Sequence, residues 1–199
     1  MLRSPAKPRR ISTLVLALVP ALALVPAGLG CDYALLESDA AGDGIGVALT
    51  LPLVDHELWE YVEEADDALA DHRPDVVDCP VAAWQIEDAA LEVQTGVCNY
   101  FAVSQGSLHR INAGDLVRFD FWHDFLDAEE PAVAHVAWLI DGEVVDELDV
   151  EIPGGAAIEH FMWEADRDVP EGTPIGIHLH NHGYNSWSFV AIEVDQYQY

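Results

Sequence analysis

The segment Gly176-Ile-His-Leu-His-Asn-His-Gly-Tyr-Asn-Ser-Trp187 gathers the residues of this chain best suited to chemistry. Side chains alternate along a strand, so His178, His180 and His182 share one face while Ile175, Ile177 and Leu179 share the other. Neighbouring rings of such a row stand roughly 6.5 to 7 Å apart, and two of them can converge on one ion. Further donors have to come from across the sheet, where His123 and His135 both fall in runs with strand character. Neutral imidazole with a carboxylate suits zinc, copper or iron better than calcium, and a compartment outside the cytoplasm supplies copper and zinc. The expectation is therefore a Cu or Zn site drawn from His178, His180, His182, His123 and His135. Proton competition should weaken such a site as pH falls through the imidazole range near about 6.5.

The same residues admit other readings. His123 shares its alternation with Val117, Phe119 and Phe121, and His135 shares one with Val133, Ala137 and Leu139. Either could be a core histidine satisfied by one hydrogen bond. A carbohydrate-binding sandwich is the alternative: aromatic platforms stack on pyranose rings while amides read hydroxyls. Trp187 would then stack on the sugar while Asn181 and Asn185 read its hydroxyls, with Trp122, Trp138 and Trp163 also available. A purely structural envelope protein is the third reading.

Charge narrows the partners. Four of the eight basic residues precede Cys31 and all 36 acidic residues follow it, so the chain from Cys31 onward carries a formal charge of −32 and no lysine. Such a field repels phosphate backbones and excludes nucleic acid as a partner. The absence of lysine there removes Schiff-base chemistry and Walker-type phosphate binding. No Gly-x-Ser-x-Gly elbow or His-Glu-x-x-His motif argues for an enzyme. Paired carboxylates are uninformative in a chain so rich in them.

The elements that must position these residues are mostly strands. Residues 47–53 alternate, and from Trp84 onward short runs rich in Val, Ile, Phe and Trp recur at 90–95, 100–103, 116–125, 133–140, 143–150, 158–164, 175–182 and 188–194. Asp141-Gly142 between two such runs predicts a type I′ hairpin, since both residues tolerate positive φ. About eight strands at this spacing predict an all-β domain over 47–199, a β-sandwich or jelly roll. Residues 55–73 change period: Leu58, Tyr61, Val62, Ala65, Ala68 and Leu69 recur at helical spacing, which predicts one helix covering or inserted in the sandwich.

Residues 1–30 have a basic start, an apolar stretch from 14 to 25 and small residues before Cys31, the pattern of a signal peptide. Residues 31–46, short and acidic, read as a flexible tether. Cys79 and Cys98 can pair in an oxidising compartment, provided Cys31 is otherwise engaged.

Ala27-Gly28-Leu29-Gly30-Cys31 resembles the lipobox of bacterial lipoproteins, with Gly28 where such sequences usually carry Leu. The resemblance implies a lipid on Cys31, a membrane anchor and a location in the cell envelope, on the periplasmic or cell-surface side. Gly172, five residues, then His178-Leu179-His180 is similar to the opening of the first cupin motif, which implies a jelly-roll fold. The glutamate that motif expects would fall near Tyr184 or Asn185.

Overall fold

Period-two burial in several runs at once demands two sheets closed over one another. The computed structural model describes residues 47–198, and they form that arrangement. The expected leader, Cys31 and the expected tether over 31–46 lie outside the described residues.

The described residues form eleven strands: β1 Val47–Pro52, β2 Glu60–Tyr61, β3 Trp84–Glu87, β4 Ala90–Gln94, β5 Tyr100–Gly106, β6 Leu116–His123, β7 Ala132–Ile140, β8 Glu143–Ile152, β9 Ala157–Glu164, β10 Pro174–His180 and β11 Ser186–Gln198. The first sheet runs β3-β4-β11-β6-β9, with β1 also on β11, and the second runs β2-β5-β10-β7-β8. Every pairing is antiparallel. From β5 onward the chain crosses between sheets at each step except the β7–β8 hairpin. There Asp141 (φ 55°) and Gly142 (φ 75°) make the two-residue turn that their residue types favour.

The inward faces fill the core with Phe119, Phe121, Phe161, Trp187 and Phe189 from the first sheet and Val136, Trp138, Ile140, Ile177 and Leu179 from the second. Aromatic pairs such as Phe119 with Trp138 join the two layers, ring centroids 6.1 Å apart.

The helix expected over 55–73 does not form. Three single 3-10 turns, His56–Leu58, Glu64–Asp66 and Ala70–His72, and the two-residue strand β2 occupy that stretch. Two physical reasons explain the difference. Glu60, Glu63, Glu64, Asp67 and Asp71 would repel one another at three- and four-residue spacing along a helix. The edge of β5 also needs a partner, and Glu60 and Tyr61 supply it opposite Ser104 and Val103. The residue driven inward is Trp59, which lies off the apparent helical stripe, while Leu58 stays exposed. The stretch crosses the outer face of the second sheet as an irregular strap.

Cys79 and Cys98 are joined in a disulfide, which ties the chain following the strap to the start of β5. Closing a loop of this size contributes about 3 kcal/mol in the chain-entropy account.

Candidate functional site

Strand β10 buries Ile175, Ile177 and Leu179 in the core and turns His178 and His180 to the outer face of the second sheet. Register decides what surrounds them. His180 lies opposite His135 on β7 and Tyr100 on β5, whereas His178 lies between Ala137 and Ala102. Two alanines leave a pit above His178, and the strap covers it. His72, in the last turn of the strap, enters from above, its ring 4.4 Å from that of His135 and 5.6 Å from that of His178. The rings of His135 and His178 are 5.3 Å apart. One donor nitrogen from each of His72, His135 and His178 lies within 4.8 Å of the other two.

The hydrogen bonding of these rings is unusual for buried imidazoles. His178 is 1% exposed, and among the described residues neither of its ring nitrogens has a partner. His135 donates from Nε2 to the Glu147 carboxylate at 3.2 Å, which fixes its tautomer and leaves the buried Nδ1 with a lone pair and no partner. His180 has a buried, unpartnered Nε2. Unsatisfied buried polar atoms cost about 1 to 3 kcal/mol each, so four in one pit are a considerable local destabilisation. Burial above all, then the neighbouring imidazoles His135, His72 and His180, pushes the His178 pKa down to about 3. Burial and the neighbours His182, His72 and His135 bring His180 to about 4. Both rings are therefore neutral near pH 7, the form that donates to a metal.

A polar knot holds the strap in position. Asp67, whose side chain is 5% exposed, accepts from the Tyr100 hydroxyl and pairs with Arg73 at 3.2 Å. It also accepts from the Leu69 backbone N–H at 3.0 Å. The Arg73 guanidinium lies over the Tyr100 ring, 5.1 Å from its centre. Burial, followed by the Asp67 carboxylate, raises the Tyr100 pKa, so its hydroxyl keeps the proton it donates. Arg73 directly follows His72, and the knot thereby sets the approach of that ring. A cavity of about 330 Å³ opens beside His178, between the strap residues Val62, Asp66 and Ala68 and the sheet residues Ala102 and Leu139.

The other candidate residues lie elsewhere. His123 belongs to β6 in the first sheet, is 2% exposed, bonds the Asp124 carbonyl through Nδ1 at 2.9 Å and packs on Trp187. It is a satisfied core histidine, because its alternation with Phe119 and Phe121 turns it inward. His182 is exposed beyond the end of β10, its ring 4.4 Å from that of His180 and outside the group of three. Trp187 is fully enclosed and stacked beside Phe121, so it offers no face to a sugar. Asn181 is buried, bonding the Gly183 carbonyl at 2.7 Å, and Asn185 bonds the Phe125 carbonyl. Both amides shape the turn between β10 and β11. Among the described residues, Trp122 on β6 is a half-buried tryptophan on an outer face.

His72 escapes the sequence reading because it sits where a helix C-terminus is expected. The signal that could have found it is the carboxylate spacing along residues 60–71, which disfavours that helix and frees His72 to face the sheet.

No family model matches the chain, and no curated protein matches it. Among solved structures, one described as "CBM4 structure and function" is similar at a TM-score of 0.41 and 14% identity, over 74% of this chain and 95% of that one. Another, "Structure of PfGH50B", is similar at a TM-score of 0.33 and 12% identity, over 56% of this chain and 21% of that one.

Proposed function

We propose that this chain is an extracytoplasmic, lipid-anchored binding protein whose ligand is zinc or copper, held by His72, His135 and His178. One observation carries the reading: a buried imidazole with neither nitrogen hydrogen-bonded has two further imidazole donors within 4.8 Å. An ion would engage those lone pairs and remove the cost of leaving them unsatisfied. Three donors around a tetrahedral zinc stand about 3.3 Å apart, a contraction that small ring rotations supply. Neutral nitrogen donors without a thiolate suit Zn²⁺ and Cu²⁺. Glu147 behind His135 is the carboxylate partner that such ligands commonly have. His180, or water entering from the adjoining cavity, is available as a fourth donor. Anchoring at Cys31 draws its support from the leader sequence, and the Cys79–Cys98 disulfide suits the oxidising compartment to which that leader would send the chain.

Metal analysis of the purified chain after loading with zinc or copper tests the ligand. One equivalent is expected in the parent protein and none in His178→Ala. Equal metal content in the two proteins overturns the assignment. Labelling with radioactive palmitate, lost in Cys31→Ser, tests the anchor.

A second reading, glycan binding, is favoured by a different observation. Trp122 stands half-buried on the outer face of the first sheet, on β6 between β11 and β9, among residues able to hydrogen-bond sugar hydroxyls. This reading keeps the ligand class expected of Asn181, Asn185 and Trp187 and moves it to other residues. Retardation of the protein in gels containing a polysaccharide tests it.

A further inference from the structure

The outer face of the first sheet carries one continuous row across five strands, Gln85 (β3), Glu92 (β4), Ser188 (β11), Trp122 (β6) and Ile158 (β9), each opposite the next in register. Two depressions flank the indole. One, of about 760 Å³, is lined by Trp122, Ala157, Ile158, His160, Asp120 and Val190. The other, of about 350 Å³, is lined by Trp122, Val190, Ser188, Glu87, Asp88 and Glu92. Trp122 and Val190 border both, so the indole is the divide between an apolar basin and a carboxylate basin.

We infer that this face binds an uncharged glycan chain laid across Trp122, with one sugar ring in each basin. The inference rests on the glycan reading above and gives it a place and a ligand class. The apolar CH face of a pyranose packs on an indole, and Ile158, 73% exposed, and Val190, 42% exposed, extend that apolar surface in the larger basin. Hydroxyl recognition falls to the smaller basin. The Gln85 amide donates to Glu87 at 3.0 Å and to Glu92 at 3.2 Å, holding two carboxylates side by side as hydrogen-bond acceptors. On the other side Asp120 accepts from the His160 ring at 2.6 Å and from the Arg118 guanidinium at 2.8 Å, which fixes it at the rim. The distance from β4 to β9 is three strand spacings, about 14 Å, which is more than a single pyranose ring covers.

Charge sets the ligand class. Neither basin is lined by lysine or arginine. Carboxylates accept from hydroxyl groups and repel uronate, sulfate and phosphate. Neutral hexose or pentose polymers fit this lining, and acidic polysaccharides do not.

Affinity electrophoresis of the full chain in gels containing soluble β-glucan, xylan, mannan or dextran tests the inference, with polygalacturonate as the acidic comparison. At least one neutral polymer is expected to retard the protein, with apparent affinity falling more than tenfold in Trp122→Ala and several-fold in Glu92→Gln. Trp122→Phe should keep most of the retardation, which separates a lost platform from a misfolded protein. Added EDTA should change nothing. Retardation by a neutral polymer that survives Trp122→Ala leaves the glycan reading standing and overturns this location. Equal retardation by polygalacturonate overturns the ligand class, and loss of binding in EDTA overturns direct recognition by these side chains. No retardation by any of the polymers overturns both the inference and the reading beneath it.

Discussion

The two outer faces of this sandwich are built from the same strand grammar and treated in opposite ways. On the second sheet, alanines at 102 and 137 sink His178 into a pit, a strap crosses it, and buried nitrogens are left without partners. On the first sheet Trp122 stays partly open to solvent among the described residues, and its neighbours Gln85, Glu87, Glu92, Asp120 and His160 have hydrogen bonds largely made to one another. A covered face with unsatisfied donors is costly in the absence of a ligand and suits a small, strongly bound ion. An open face with satisfied polar groups costs little and suits a larger ligand held by stacking and exchangeable hydrogen bonds. The two faces should therefore respond to substitution independently.

The largest effect that tests this contrast is loss of the pit's ligands. His178→Ala or His72→Ala should lower zinc or copper affinity by two orders of magnitude or more, measured by competition with a chromophoric chelator, while Trp122→Ala leaves it unchanged. If Trp122→Ala moved metal affinity as far, the two faces would be coupled and the contrast would be wrong.

The disulfide comes next. Cys79→Ser with Cys98→Ser should destabilise the fold by about 3 kcal/mol in urea titrations. Metal affinity should fall with it, because the bridge restrains the chain that follows His72. A smaller effect belongs to the residues behind the ligands: Glu147→Gln and Tyr100→Phe should each weaken metal binding about tenfold. Glu147→Gln no longer enforces the His135 tautomer, and Tyr100→Phe loosens the Asp67 knot.

The smallest effect is the most diagnostic. His178→Leu should raise the stability of the metal-free protein by about 1 kcal/mol, since an apolar side chain of similar size removes two unsatisfied nitrogens. It should also flatten the pH dependence. The folded pKa values of His178, about 3, and His180, about 4, lie below the ordinary histidine value, so the unfolded chain binds more protons between those limits. Their contribution to stability is present above about pH 6.5 and is lost as pH falls toward 4 and 3. Urea midpoints at pH 7, 5.5 and 4.5 should show a shallower decline in His178→Leu than in the parent, and identical slopes would refute the burial argument.

Much of the fold is legible in the residues, because a strand writes its two faces directly into alternate positions. Val117, Phe119 and Phe121 mark an inward face, and Asp141-Gly142 marks a hairpin. The row of His178 and His180 opposite an apolar face is equally direct. Less legible is anything decided by register between distant strands. No local pattern says that His180 meets His135 while His123 turns into the other layer, since that depends on which sheet each strand joins. Trp187 and Trp122 illustrate the same limit. Both lie in apolar runs with polar neighbours, yet one is enclosed and the other only half-buried, because β6 and β11 turn opposite faces outward at those positions. The strap is the element that misleads: its apolar residues keep helical spacing, but the carboxylates between them and the unpaired edge of β5 outweigh that pattern.

The pairing of β1 with the far end of β11 has an architectural consequence. Val47 lies opposite Gln198 in the ladder, so the two extremities of the sandwich meet on one rim. A few added residues would join them, and new termini could be opened in a surface turn such as Asp141-Gly142 without cutting a buried strand. The domain therefore lends itself to circular permutation and to insertion as a cassette within a host protein, with both of its outer faces left uncovered by the junction.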